Sequence, residues 1–173
     1  LQDVDRGVIR AIGDPFRRFA EDHLRMLRAV RFASVLDFSI DEELSVAIRA
    51  TVGVFRKVSV ERIAVELRKI LTSRRPGWGL RTLCDTGLLT AFWPAVAALP
   101  EAEFAAVVRS LGASEPEFAV RAALALRPLA EDAGPAMDAL RYPRRLRQRV
   151  EHFLGLLDSG PAPRAPTAAL RAF

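Results

Sequence analysis

Four charged side chains crowd one short stretch of the chain: Glu21, Asp22, Arg25 and Arg28. Spacings of three and four residues place them on one face of a helix. Two chemistries are open to such a group. One is a set of surface ion pairs that stabilise the helix. The other is recognition of a base edge, with Asp22 accepting from an exocyclic amino group and Arg25 donating to a ring nitrogen. Cytosine and adenine both present that donor–acceptor pair, whereas uracil and guanine present a carbonyl and an N–H. A mismatch leaves polar groups unpaired, at about 1–3 kcal/mol each. Asp22 sits near the predicted start of a helix, where the dipole favours its charged form by about 0.3–1 kcal/mol.

A second group lies near the other end: Arg141, Arg144, Arg145, Arg147 and Arg149 around Tyr142. Guanidiniums repeated along a helix can follow phosphates, with strong salt dependence. The same pattern also makes an ordinary solvated face. Arginine supplies nearly all of the positive charge, because Lys57 and Lys69 are the only lysines and the net charge is +5. Arginine's planar fork suits phosphate oxygens and base edges, so a polyanionic partner is expected.

Other chemistries lack their residues. Two histidines, His23 and His152, and one cysteine, Cys84, stand far apart in the sequence and make no zinc-ligand pattern. A single cysteine also excludes an internal disulfide and fits a reducing compartment, so cytoplasm is the expected location. Asp3-Val-Asp5 has the bare spacing of a metal-binding pair, but no Gly-Ser strand precedes it. No phosphate-cradling glycine loop, nucleophile elbow or His-Asp dipeptide is present. No run of apolar residues is long enough for a membrane helix.

The elements that must position these groups read as helices throughout, with apolar residues at three- and four-residue spacing. The fold class is all-α, with one short strand expected over residues 7–12. Gly13-Asp14-Pro15 punctuates the chain, with Pro15 suited to a first helical turn. Helices are expected over residues 22–36, from about Asp41, from Ser59 as N-cap to Leu71, and from Pro76 to Thr86-Gly87. Alanine- and leucine-rich helices follow over 101–139, broken at Gly112-Ala-Ser and Ala133-Gly-Pro. A basic helix over 141–157 is interrupted near Pro143. Residues from Ser159 form a proline-rich loop, and Thr167 begins another helix. Trp78 and Trp93, with Phe92, are expected in the core.

The motif Glu21-Asp22-His-Leu-Arg25, continued by Met26-Leu-Arg-Ala-Val-Arg-Phe-Ala33, resembles the class II tRNA nucleotidyltransferases (CCA-adding enzymes) and the bacterial poly(A) polymerases. The likeness extends through Gly7-Val-Ile-Arg-Ala-Ile-Gly-Asp-Pro15, Phe38-Ser-Ile-Asp41, Val58-Ser-Val-Glu-Arg-Ile63 with Glu66-Leu67, and Thr86-Gly-Leu-Leu89 leading to Pro94. Beyond Pro100 it thins to helical character and the Leu140-Arg-Tyr-Pro143 segment. One departure stands inside the motif: the family commonly has proline where this chain has His23. A role for His23 as base or metal ligand has no support from its surroundings.

The resemblance implies a helical neck and body that ordinarily follow a catalytic head. It divides the chain into a remnant of the head at 1–14, a base-selecting neck at 15–99, an RNA-binding body at 100–158, and a linker with the start of a tail at 159–173. It implies that Asp22 and Arg25 pair with the base of incoming CTP or ATP. Glu21, Arg28, Arg56, Glu61, Arg62 and Glu66 would then orient them. Arg141, Arg144, Arg145, Arg147 and Arg149 would contact RNA, a tRNA or other 3′ end. The family's Gly-Ser and Asp-x-Asp motifs, which hold two Mg ions, and its Arg-Arg-Asp segment have no counterpart here. This chain is therefore expected to be inactive alone, without metal ligands or catalytic residues, and to work with a catalytic head of the same polypeptide. The tRNA enzyme is the leading expectation and a poly(A) polymerase the alternative. A non-catalytic helical RNA-binding or interaction module is the alternative of another class; no clear recognition helix supports a DNA binder.

Overall fold

A computed structural model describes residues 2–159, so the predicted helix from Thr167 and the loop beyond Ser159 lie outside the described residues. A short helix α1 (Gln2–Asp5) leads to strand β1 (Val8–Ile9), which is narrower than the 7–12 expected. It is not alone. Strand β2 (Ser39–Ile40) pairs with it in parallel, Val8 opposite Ser39 and Ile9 opposite Ile40. The rest is helical.

The predicted helix over 22–36 is α3 (Leu24–Leu36), and a separate short helix α2 (Pro15–Glu21) precedes it. Asp22 breaks them apart with extended backbone, φ −150° and ψ 105°. Asp14 caps α2 through a bond from Phe16 N–H, and Pro15 takes the first position, where its missing N–H costs nothing. Helix α3 ends where Asp37 adopts a left-handed conformation, φ 62°. Aspartate tolerates that region better than most residues, and the turn lets Phe38 N–H return to the Ala33 carbonyl. The chain then leaves in the direction that forms β2.

Helix α4 (Glu42–Thr51) and a 3-10 turn (Val52–Lys57) carry the chain back to the start of α5 (Val60–Leu71). Ser59 is the N-cap of α5 by position, but its hydroxyl makes no capping bond. Helices α3 and α5 run parallel. Asp22 meets Arg62 near their N-termini, Arg31 meets Glu66 midway, and Val35 and Leu36 line a cavity with Lys69 and Thr72 at the far end.

Helix α6 (Pro76–Asp85) crosses behind this pair, and two glycines set how closely. A Cβ on Gly79 would lie 2.6 Å from Ser34 Oγ and 2.5 Å from Ile70 Cγ2, on α3 and α5 respectively. A Cβ on Gly77 would lie 2.3 Å from the Val108 carbonyl oxygen. Only glycine admits that approach.

A short α7 (Pro94–Ala97) and helices α8 (Glu101–Gly112) and α9 (Phe118–Leu126) extend the molecule. The second break then falls at a 3-10 turn, Arg127–Asp132, rather than at Ala133-Gly-Pro. Those residues open α10 (Ala133–Ala139), because Pro135 in a first turn needs no N–H partner. Helix α11 (Arg144–Asp158) starts after Pro143, leaving Arg141 and Tyr142 in the preceding turn. One apolar core runs from Phe19 to Leu154 and includes Trp93 and Phe92. Trp78 is only half-buried, with the Arg75 guanidinium 4.8 Å from its ring centre.

Candidate functional site

The site begins at the break between α2 and α3. Because Asp22 is extended, its side chain turns back over the start of α3 and Oδ1 accepts from Leu24 N–H at 3.1 Å. This is the geometry of an N-cap, in which a carboxylate satisfies an otherwise orphaned donor. Arg62, one turn into α5, donates to both carboxylate oxygens at 3.0 and 3.2 Å. Partial desolvation pushes the Asp22 carboxyl up, but the Leu24 N–H and the Arg62 guanidinium outweigh it and hold it below its ordinary value. About a quarter of the Asp22 side chain remains open to solvent, 26 %.

Arg25 lies one turn further along α3. It donates to Glu21 Oε2 at 2.7 Å, and Glu21 also takes a bond from Arg18 at 3.2 Å. The bonds from Arg25 first, then Arg18, lower the Glu21 carboxyl below the usual range. His23 Nδ1 lies 2.6 Å from the Phe19 carbonyl, which can only accept, so this nitrogen carries the proton. The imidazole thus ties down an open carbonyl at the end of α2, at the position where the family commonly has proline. Asp22 and Arg25 present a carboxylate and a guanidinium at one end of the helix pair, each held by a different charged neighbour.

Further along the groove, Glu66 is 6 % exposed and surrounded by cations. Arg31 Nε is 2.9 Å away, and Arg28 and Lys69 each approach to 3.9 Å. The remaining expected support residues stand elsewhere. Glu61 pairs with Arg141, and Arg56 is exposed in the 3-10 turn with no ion pair among the described residues. The structure therefore brings Glu21, Asp22, Arg25, Arg28, Arg62 and Glu66 along one groove, but not Arg56 or Glu61.

The basic cluster is also divided. Arg141 reaches Glu61, Arg147 contacts Asp138 at 2.5 Å and Glu151 at 3.4 Å, and Arg149 contacts Glu117 at 3.5 Å. Arg144 and Arg145 are exposed without an ion pair among the described residues. Tyr142 is a joint: its hydroxyl donates to the Ala64 carbonyl on α5 at 2.8 Å, and its ring packs 5.1 Å from that of Phe118. Burial pushes its phenol well above the ordinary range.

Sequence reasoning missed Arg121. This side chain is buried on α9 and donates to the carbonyls of Leu71 at 2.6 Å, Ser73 at 2.9 Å and Ser114 at 2.9 Å, and to Ser114 Oγ at 3.3 Å. The available signal was one arginine inside the apolar run Phe118-Ala-Val-Arg-Ala-Ala-Leu-Ala-Leu126. Among the described residues no three His, Cys, Asp or Glu side chains converge as metal ligands, so this donor set does not fit the two-metal site of phosphoryl transfer. No described helix is long and apolar enough to cross a membrane.

Comparison with known proteins extends this picture. Residues 37–99 match the family model described as the probable RNA and SrmB-binding site of polymerase A. The CCA-adding enzyme of Levilactobacillus brevis is 51 % identical over 88 residues, which cover 51 % of this chain and 22 % of that protein. That of Bacillus subtilis is 46 % identical over 87 residues, 50 % of this chain and 22 % of that protein. The crystal structure of the Bacillus stearothermophilus CCA-adding enzyme in complex with CTP superposes with a TM-score of 0.78 at 29 % identity. That match covers 95 % of this chain and 41 % of the other. The matched region thus spans less than a quarter of these curated relatives.

The fold and the matched segment together are those of a helical region found within nucleotidyltransferases of this kind. The chain is thus similar over half its length to CCA-adding enzymes, and its helical fold matches a helical portion of one of them.

Proposed function

We propose that this chain is the base-selecting and RNA-binding portion of a tRNA nucleotidyltransferase that adds C and A to tRNA 3′ ends. Residues 15–99 serve as the neck and 100–158 as the body. One observation carries the reading: Asp22 and Arg25, at the spacing that complements C and A, sit at one end of the α3–α5 pair, and the side-chain partners of both are exposed and exchangeable. Arg62 covers the Asp22 acceptors and Glu21 the Arg25 donors. An incoming base takes both places. Its amino group donates to the carboxylate that Arg62 held, and its ring nitrogen accepts from the guanidinium that Glu21 held. The lowered Asp22 carboxyl keeps the acceptor charged at neutral pH. Mg ions, CTP and ATP would be handled by a catalytic head, and Arg144 and Arg145 are free to meet RNA phosphates.

The test is nucleotide incorporation onto tRNA lacking its CCA end, by the full-length protein and its Asp22→Ala and Arg25→Ala variants. Each variant should lose about tenfold or more of its preference for C and A over U and G, from about 1.4 kcal/mol per lost complementary bond, while RNA affinity is kept. Unchanged discrimination in both variants sinks the assignment. A-tailing alone by the parent protein would point to the poly(A) branch. No incorporation by the full-length protein would leave a binding module.

A further inference from the structure

We propose that the groove between the C-terminal halves of α3 and α5 is a phosphate-binding site centred on Arg31, with Lys69 and Arg74 on its walls. An open cavity of about 570 Å3 lies there, and the three cations line it together with Val35, Leu36 and Thr72. It stands well away from the base-selecting end. Arg31 follows Asp22 by nine residues, about 14 Å along a helix.

The charge in this groove does not balance. Arg28, Arg31 and Lys69 share one buried carboxylate, Glu66. Arg74 has no carboxylate within ion-pair distance among the described residues, and Asp37 at the rim is taken by Arg75 at 3.1 Å. The hydrogen bonding does not balance either. The Arg31 side chain is 17 % exposed, yet it makes no hydrogen bond among the described residues. Its Nε lies 2.9 Å from Glu66 Oε2 but the N–H is not directed at that oxygen, and both atoms are buried without a hydrogen-bond partner. Buried donors of this kind are rare, because each loses its water without replacement. Phe32 fixes the plane of the guanidinium, which lies 3.8 Å over its ring.

The end of a helix ordinarily repels an anion, because its carbonyls are unpaired. Here that repulsion is removed from behind. Arg121 takes the Leu71 and Ser73 carbonyls, and the Thr72 hydroxyl takes that of Arg68. A phosphate in the groove would accept from the terminal nitrogens of Arg31, Nε staying against Glu66, and would meet the surplus charge of Lys69 and Arg74. The phosphate can belong to an RNA strand or to a nucleoside triphosphate. The inference rests on the proposed function only in taking a nucleotide or RNA as ligand, and it makes no use of Asp22 or Arg25.

Two probes separate the sources: a fluorescein-labelled short single-stranded RNA, and CTP, each titrated against the intact chain between about 50 and 200 mM salt. Lys69→Gln with Arg74→Gln alters two outward-facing side chains, so the fold should melt unchanged. If RNA is the source, its affinity should fall about tenfold at low salt. Its salt slope should also shrink by about 1.4, the share of two lost contacts on a single strand. Loss of CTP binding instead would support the site and assign it to the triphosphate. Arg31→Lys, which keeps the charge, should recover only part of the binding lost in Arg31→Gln. Unchanged affinity for both probes in the double variant overturns the proposal, as does a parent chain that binds neither. Because the double variant leaves Asp22 and Arg25 untouched, the full-length protein carrying it should keep its preference for C and A, so failure of the base-selection reading is seen separately.

Discussion

Arg121 and Arg31 are both withdrawn from water, and they could hardly be more different. Arg121 has an acceptor for each nitrogen it uses, all of them carbonyls or hydroxyls from α5, the loop after it and the end of α8. Arg31 has one misaligned carboxylate and an open cavity. The first arrangement joins neck to body and has no room for a visitor. The second is incomplete without one. The satisfied buried charge is a structural joint, and the unsatisfied one beside an open cavity is where we propose that a phosphate binds.

The largest effect should come from breaking the joint. Arg121→Met leaves three backbone carbonyls buried without donors, and urea unfolding should show a loss of about 3 kcal/mol or more. A loss near zero would mean that the joint is hydrated and that the contrast with Arg31 is weaker than drawn. Gly77→Ala comes next, since its new Cβ meets backbone rather than a flexible side chain. A loss of about 1–3 kcal/mol is expected, as for overpacking elsewhere. Tyr142→Phe removes one hydrogen bond to Ala64 but keeps the packing on Phe118, so about 1 kcal/mol should be lost.

On the groove side the stability effects should be small. Arg62→Ala breaks an exposed pair and should cost under about 1 kcal/mol in unfolding, while changing how nucleotides compete for Asp22. The smallest effect is in acid. The Asp22 carboxyl is held below its unfolded value, so its contribution is fully present above about pH 4 and fades as pH falls through the folded value. The stability gap between the parent and Asp22→Asn should therefore narrow as pH falls below about 4. A gap that stays constant would show that the carboxylate's charge plays no part.

Much of the scaffold was legible because local chemistry writes it. Pro15, Ser59, Pro76 and Gly87 mark helix ends that depend on a single residue's backbone or cap, and each is where the pattern placed it. The motif around Asp22 was read from its resemblance to a known family, since its local spacing fits a set of ion pairs equally well. What stayed hidden depends on partners distant in sequence. Strand β2 is two residues long and exists only because β1 lies beside it. The helix start at Asp22 was expected, but local spacing did not name its partner Arg62, 40 residues on. Arg121 hides in an alanine-rich run, where no local rule says that the neighbouring element will offer it bare carbonyls. Glu61 was expected beside the motif, yet it faces Arg141 because the turn at Leu140 to Pro143 folds back onto α5. Spacing within one helix told which residues share a face, but not which element that face meets.

The parallel course of α3 and α5 has a consequence for tolerance to insertion. Parallel neighbours cannot be joined by a tight turn, so α4 and the 3-10 turn after it act as a crossover whose length sets the phase of one helix against the other. A residue added inside α5 would turn everything beyond it by about 100°. Arg62 could stay on Asp22 while Glu66 and Lys69 rotated out of the groove, so the two ends of the helix pair would fall out of step. The same addition at the exposed Gly53 and Val54 of the turn can be absorbed there if it leaves the buried Phe55 in place. Within this neck, change of length is safe in the crossover and disruptive in the helices it connects.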